Sequence, residues 1–121
     1  MQDWIVPCNT KYYNVEEAFK NLPRLDWKQS SDKYEIGDDV YIYISAPISA
    51  VRYKCRVTRI NLKTVEIDDS CYIIDSTNYR NQKRYMELEL LERLDISYSE
   101  LQRRGLKGRI QCQRRAGNLF R

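Results

Sequence analysis

Seven cations and no carboxylate occupy the last twenty-one residues of this 121-residue chain: Arg103, Arg104, Lys107, Arg109, Arg114, Arg115 and Arg121. The chain carries 21 Lys+Arg and 17 Asp+Glu, so residues 1–100 hold 14 cations against 17 carboxylates, a net charge of −3 beside an overall +4. A segment of this kind attracts a phosphate backbone, because each phosphate neutralised by Lys or Arg releases condensed counterions whatever the base sequence. A second row, Arg52, Lys54 and Arg56, alternates with Val51, Tyr53, Cys55 and Val57. That spacing describes a strand with a core face and a basic face, which is either simply solvated or a further set of phosphate contacts.

The residues that are missing narrow the chemistry further. There is no histidine, which excludes Ser-His and Cys-His nucleophile pairs, histidine–metal nucleases and mixed Cys/His zinc sites. Cys8, Cys55, Cys71 and Cys112 form no CxxC pair; Cys8 and Cys55 fall in apolar strand patterns, as buried free thiols do. Asp68-Asp69 is a tight acidic pair, and beside Ser70 it reads as a solvated turn. Asp26-Trp27-Lys28 matches part of a carboxylate nuclease motif but has no second acid at strand spacing. The expectation is a protein without catalytic residues, metal or cofactor.

Ten tyrosines and two tryptophans are the other anomaly. Tyr41 and Tyr43 alternate against Val40, Ile42 and Ile44, while Trp27 sits in the polar run Asp26-Trp27-Lys28-Gln29-Ser30-Ser31. Rings off the aliphatic face either pack inside a two-sided sheet or stack on a planar heterocycle whose edge meets nearby amides and hydroxyls.

The elements that must position these groups follow from periodicity and caps. Trp4–Cys8 predicts a short strand, Asn14 caps a short helix that reaches Leu22 and ends at Pro23, and Val40–Ser45 and Val51–Thr58 predict two neighbouring strands. Thr64–Ile67 and Tyr72–Ile74 are short apolar runs, and Asp75–Lys83 reads as a loop. Tyr85–Leu91 alternates like a strand, although its Glu and Leu content also suits a helix. Ser97-Tyr98-Ser99-Glu100 is a capping box and Gly105 a helix stop, so Tyr98–Arg104 predicts a two-turn helix, followed by a strand over Lys107–Gln113. Together these give one α+β domain over residues 1–121: a small twisted, barrel-like sheet with short flanking helices. The N-terminus lacks a signal-peptide pattern and no stretch approaches eighteen apolar residues, so a soluble, cytoplasmic protein without membrane contact is expected.

DWKQS at 26–30, GDDVYIYISAPISAVRYKCRV at 37–57 and GLKGRIQCQRR at 105–115, after an N-terminal WIVPCN, resemble the EVE domains of the PUA-like superfamily. The likeness is greatest to those at the front of HNH-type restriction endonucleases directed at modified DNA, and it covers most of the chain outside roughly 63–83. Where such domains commonly read GRIQGPRR, this chain has Cys112 and Gln113 in place of Gly-Pro. The resemblance implies a non-enzymatic reader that rotates a modified cytosine (5-methyl or 5-hydroxymethyl) out of duplex DNA into an aromatic pocket, in a phage-defence restriction setting with a fused or partner HNH nuclease. On this expectation Trp27 and Tyr43 stack on the base, and Asn9, Gln29 and Ser30 bond its polar edge. Lys28, Arg52, Lys54, Arg109, Arg114 and Arg115 hold flanking phosphates. An RNA-binding PUA-like module would use the same charges and rings, and a non-catalytic protein-interaction subunit would turn the basic end toward an acidic partner.

Overall fold

A computed structural model describes residues 1–74 and 83–121, so most of the loop expected over Asp75–Lys83 lies outside the described residues. In chain order the elements are β1 (Asp3–Cys8), α1 (Val15–Asn21), β2 (Arg24–Lys28), β3 (Asp39–Ile44), β4 (Ala50–Leu62), a 3₁₀ turn (Ser70–Tyr72), β5 (Tyr85–Ser97), α2 (Tyr98–Arg103) and β6 (Arg114–Arg115). They form one mixed sheet in the order β2-β5-β4-β3-β1-β6. β1 runs parallel to β3, and the other neighbours are antiparallel. Long β4 and β5 pair through several register shifts, at Val51/Tyr53, Lys54/Cys55, Val57/Arg59 and Arg59/Leu62, and such bulges add the twist that curves the sheet.

The small mixed sheet expected is present, and it is open, with β2 and β6 as its edges, so it does not close into a barrel. At the β6 edge the ladder is short, and Pro7 accounts for where it breaks. β6 pairs with β1 only at Trp4 and Ile5, and the amide of Ala116 donates to Asp3 O at 2.8 Å. Continuing that register would set Pro7 opposite Cys112 as a hydrogen-bonded pair, but proline has no N–H to give. The ladder therefore stops at Arg114, and the strand expected over Lys107–Gln113 is instead an irregular strap that peels away from the sheet.

Two apolar clusters lie on the two faces. Val40, Ile42 and Ile44 of β3 join Trp4, Val6, Cys8, Trp27 and Cys55 on one, and Tyr41 and Tyr43 join Ile5, Val51 and Leu101 on the other. The period-2 alternation of β3 thus describes a strand buried on both sides, and its tyrosines are core. Tyr41 stacks on Phe120 with ring centroids 3.7 Å apart; burial, and then the neighbouring Asp3 and Asp39 charges, push its hydroxyl up to about 12.

The caps form as expected. Asn14 accepts from the Glu17 amide at 3.3 Å, Ser97 accepts from the Glu100 amide at 3.2 Å, and Gly105 leaves α2 at φ +112°. Cys8 and Cys55 are buried and Cys71 and Cys112 exposed, none of them in a disulfide. β2 has no counterpart among the predicted strands, because Leu25, Asp26 and Trp27 are all buried in succession. Leu25 and Trp27 enter the core, while Asp26 turns to the 65–70 loop, where its Oδ2 accepts the amides of Glu66 (2.6 Å) and Ile67 (2.9 Å). Among the described residues no helix is long and apolar enough to cross a membrane.

Candidate functional site

Trp27 stands between two clefts of opposite character. The first, of about 470 Å³, is bounded by Asp26, Glu66, Asp68 and Asp69, with Tyr13 and Tyr85. Asp69 is buried, not solvated as its place beside Ser70 suggests, and takes the Tyr13 hydroxyl at 2.6 Å. Burial raises its carboxyl above the ordinary value, with the Tyr13 hydrogen bond opposing. Among the described residues no group of three or more His, Cys, Asp or Glu is arranged to hold a metal ion. Four carboxylates repel a phosphate chain, so this cleft is unsuited to nucleic acid.

The second cleft, of about 440 Å³, has no carboxylate in its lining. Pro7, Cys8 and Asn9 at the end of β1 form one side, Trp27, Lys28 and Ser30 another, and Gln111–Gln113 of the strap the third. Three of the five expected pocket residues converge here: Trp27, Asn9 and Ser30. The Asn9 carbonyl oxygen Oδ1 accepts the Lys11 amide at 2.9 Å, which fixes the side chain as an Asx turn and leaves its NH₂ with no hydrogen bond among the described residues. Trp27 is only 5% exposed and meets Tyr13 edge-on at 5.8 Å, so one ring serves both core and cleft.

The other two expected pocket residues lie elsewhere. Gln29 is buried and fully engaged: its Nε2 donates to Ser31 O and Asn61 Oδ1, both at 3.0 Å, and its Oε1 accepts the Asn61 amide at 2.8 Å. Tyr43 belongs to the opposite cluster and lines an adjoining cleft of about 450 Å³ with Tyr98, Ser49 and Arg109. Trp27 and Tyr43 therefore do not wall one cavity. The second cleft has one indole wall, with Asn9, Ser30 and the strap around it.

The expected phosphate ligands divide in the same way. Arg52 lies 3.3 Å from Asp95 and 3.9 Å from Glu16, and Lys54 sits over Tyr41 at 5.9 Å on the far face; neither borders the clefts beside the strap. Within the basic end, Arg103 and Arg104 pair with Glu100, and Arg121 with Asp3. Arg115 lies over the Trp4 ring at 5.5 Å, and Arg114 donates to Lys107 O at 3.2 Å. Lys28, Lys107, Arg109, Arg114 and Arg115 thus keep charges free of carboxylate pairing among the described residues, and the effective patch is smaller than the sequence count.

Gln113, which lines the second cleft, carries no signal in the sequence beyond its departure from the Gly-Pro pattern. Its Oε1 accepts from the Ser30 amide (3.2 Å), the Ser30 hydroxyl (2.7 Å) and the Tyr34 hydroxyl (2.9 Å), and its Nε2 donates to Lys28 O at 2.8 Å. One amide therefore clamps the strap onto the exit of β2, at one of the two positions where the chain departs from the Gly-Pro pattern. Gln113→Ala should cost about 1–2 kcal/mol, since partly exposed partners regain water, and should weaken ligand binding in the second cleft about tenfold by releasing Ser30 and the strap together. A thermal melt beside a titration checks this; unchanged affinity would remove the clamp from the site.

Neither a family model nor a curated protein matches the sequence. Solved structures do match the fold. The crystal structure of ASCH from Zymomonas mobilis superposes with a TM-score of 0.61 at 9% identity, covering 94% of this chain and 87% of that one. A hypothetical protein from Leishmania major gives 0.60 at 14% identity, over 87% and 75%. Protein Atu2648 from Agrobacterium tumefaciens gives 0.56 at 14%, over 85% and 71%. The small open mixed sheet with its few short helices is similar in fold to ASCH, and at these identities the likeness establishes the fold alone.

Proposed function

We propose that this protein binds nucleic acid by accepting a single unstacked base in the cleft between β1, β2 and the strap, and that its target is modified cytosine in duplex DNA. The observation that carries the proposal is the convergence of Trp27, Asn9 and Ser30 on one carboxylate-free cleft beside a strap bearing Lys107 and Arg109, with Arg114 of β6 following it. A cleft of about 440 Å³ is within the range that holds small planar ligands. Stacking of one base on an indole contributes about 1–3 kcal/mol, comparable to the few kcal/mol that extrusion from the duplex costs. The Asn9 NH₂ supplies a donor for a pyrimidine's carbonyl oxygen or ring nitrogen, and the Ser30 hydroxyl an acceptor for its exocyclic amine. No nucleophile or general base is needed, which agrees with a reader whose nuclease, of the HNH type on the sequence resemblance, resides in another domain or partner.

Titration of otherwise identical duplexes carrying cytosine, 5-methylcytosine or 5-hydroxymethylcytosine, with matched single-stranded RNA as a fourth ligand, tests this. A buried methyl contributes about 0.8 kcal/mol, so the methylated duplex should bind roughly fourfold tighter than the unmodified one. 2-Aminopurine placed next to the modified cytosine should brighten as its neighbour leaves the stack. Equal affinity for all three duplexes with unchanged fluorescence would overturn the modified-base proposal, and RNA binding more tightly than any duplex would assign the cleft to single-stranded RNA.

A further inference from the structure

We infer that the adjoining cleft, between the end of β3, the 45–49 loop and α2, is the seat of one backbone phosphate, the one next to the base held in the first. This rests on the base-accepting role proposed above. The two clefts share Ser45, Ile110 and Gln111 and so adjoin. Adjoining clefts suit the base and the phosphate of one nucleotide, which the sugar joins. The lining again contains no carboxylate, and its one charge is Arg109, which is exposed and has no hydrogen bond or ion pair among the described residues. Ser49 adds a hydroxyl, while that of Ser45 donates to Cys8 O at 3.4 Å, and a guanidinium beside a hydroxyl suits a phosphodiester oxygen.

Two backbone features point to the same place. Ser49 is held at φ +51°, a left-handed conformation that an L residue without special need avoids. Its carbonyl takes the amide of Tyr98 at 2.9 Å, so the loop is tied to the start of α2 with Ser49 fixed at the cleft. The strap contributes more directly. The amides of Gly108–Cys112 make no backbone hydrogen bond among the described residues, and Ile110 and Gln111 of this stretch line both clefts, so unpaired backbone donors stand beside the seat. Tyr98 fixes the strap from the other side by donating its hydroxyl to Gly108 O at 2.9 Å.

The test is a titration of a duplex bearing one 5-methylcytosine, with a neutral methylphosphonate replacing each neighbouring phosphate in turn. Wild type should lose about tenfold in affinity at one position adjacent to the modified base. Arg109→Ala should lose about tenfold on the unsubstituted duplex and nothing more at that position, while Ser49→Gly, which keeps the positive φ, should lose about threefold there. Equal losses for wild type and Arg109→Ala at every position would overturn the phosphate seat. If wild type still prefers the methylated duplex in that case, the base-accepting role stands and only this inference fails; coupling to Arg109 without that preference would support the seat and remove modified-base selectivity.

Discussion

Trp27→Ala should lower stability by about 3–5 kcal/mol, the range for deleting a large buried ring, and the melting temperature by roughly 10–20 °C for a domain of this size. The ring is almost wholly buried, packs edge-on to Tyr13 and belongs to the cluster that holds β1 to β3. The same substitution should reduce affinity for a modified duplex by one to two powers of ten, because the cleft loses its only indole wall, and should change unmodified binding much less. Trp27→Phe separates the effects: it retains most of the apolar volume and should recover most of the stability, while its smaller face returns only part of the base affinity. Measured well below the lowered midpoint, so that each variant is folded, an equal loss on both duplexes would take Trp27 out of base recognition. An unchanged melt would contradict its core role.

What was legible in the chain is what obeys local rules. β3 and the first half of β4 announce themselves by alternation, α1 and α2 by Asn14 and Ser97 at their caps, and Pro23 and Gly105 by the stops they impose. What escaped depends on partners distant in sequence. β2 has no alternation to read because Asp26, polar and buried, satisfies amides forty residues away. The strap has the alternation of a strand yet fails to be one, and one contribution, a proline on β1 that has no N–H for the carbonyl opposite, lies about a hundred residues earlier. The site divides along the same line. Trp27, Asn9 and Ser30 were identifiable because the resemblance strings contain them, and they do share a cleft. Tyr43 and Gln29 carry the right chemistry, but strand parity sends the first to the other face and a tertiary contact with Asn61 consumes the second. Gln113 could have been noticed only as a departure from the Gly-Pro pattern, with nothing local to say what its amide would bond.

Asp38 shows the same limit on a larger scale and supports the other large expected effect. Within Gly37-Asp38-Asp39 it reads as an ordinary turn residue, yet it is 1% exposed. Its Oδ2 accepts the Trp4 indole N–H at 2.9 Å and the Glu35 amide at 3.0 Å, and its Oδ1 the Gln2 amide at 3.0 Å. Asp38→Ala strands these donors at about 1–3 kcal/mol each, so a net loss of about 3–5 kcal/mol is expected once the partly exposed Gln2 regains water. Asp38→Asn, which can still present one oxygen to Trp4 and Glu35, should lose roughly half as much. In a Trp4→Phe background the alanine change should cost less, because one of the stranded donors is already gone; equal cost in both backgrounds would show that the indole bond contributes nothing. The effect should also reach the cleft. Trp4 stacks on Tyr34 at 4.0 Å, and the Tyr34 hydroxyl holds Gln113, so a Trp4 released from Asp38 loosens the clamp on the strap. Asp38→Ala, assayed at a temperature where it remains folded, should therefore bind modified DNA less selectively than Asp38→Asn does, although neither side chain lines the cleft.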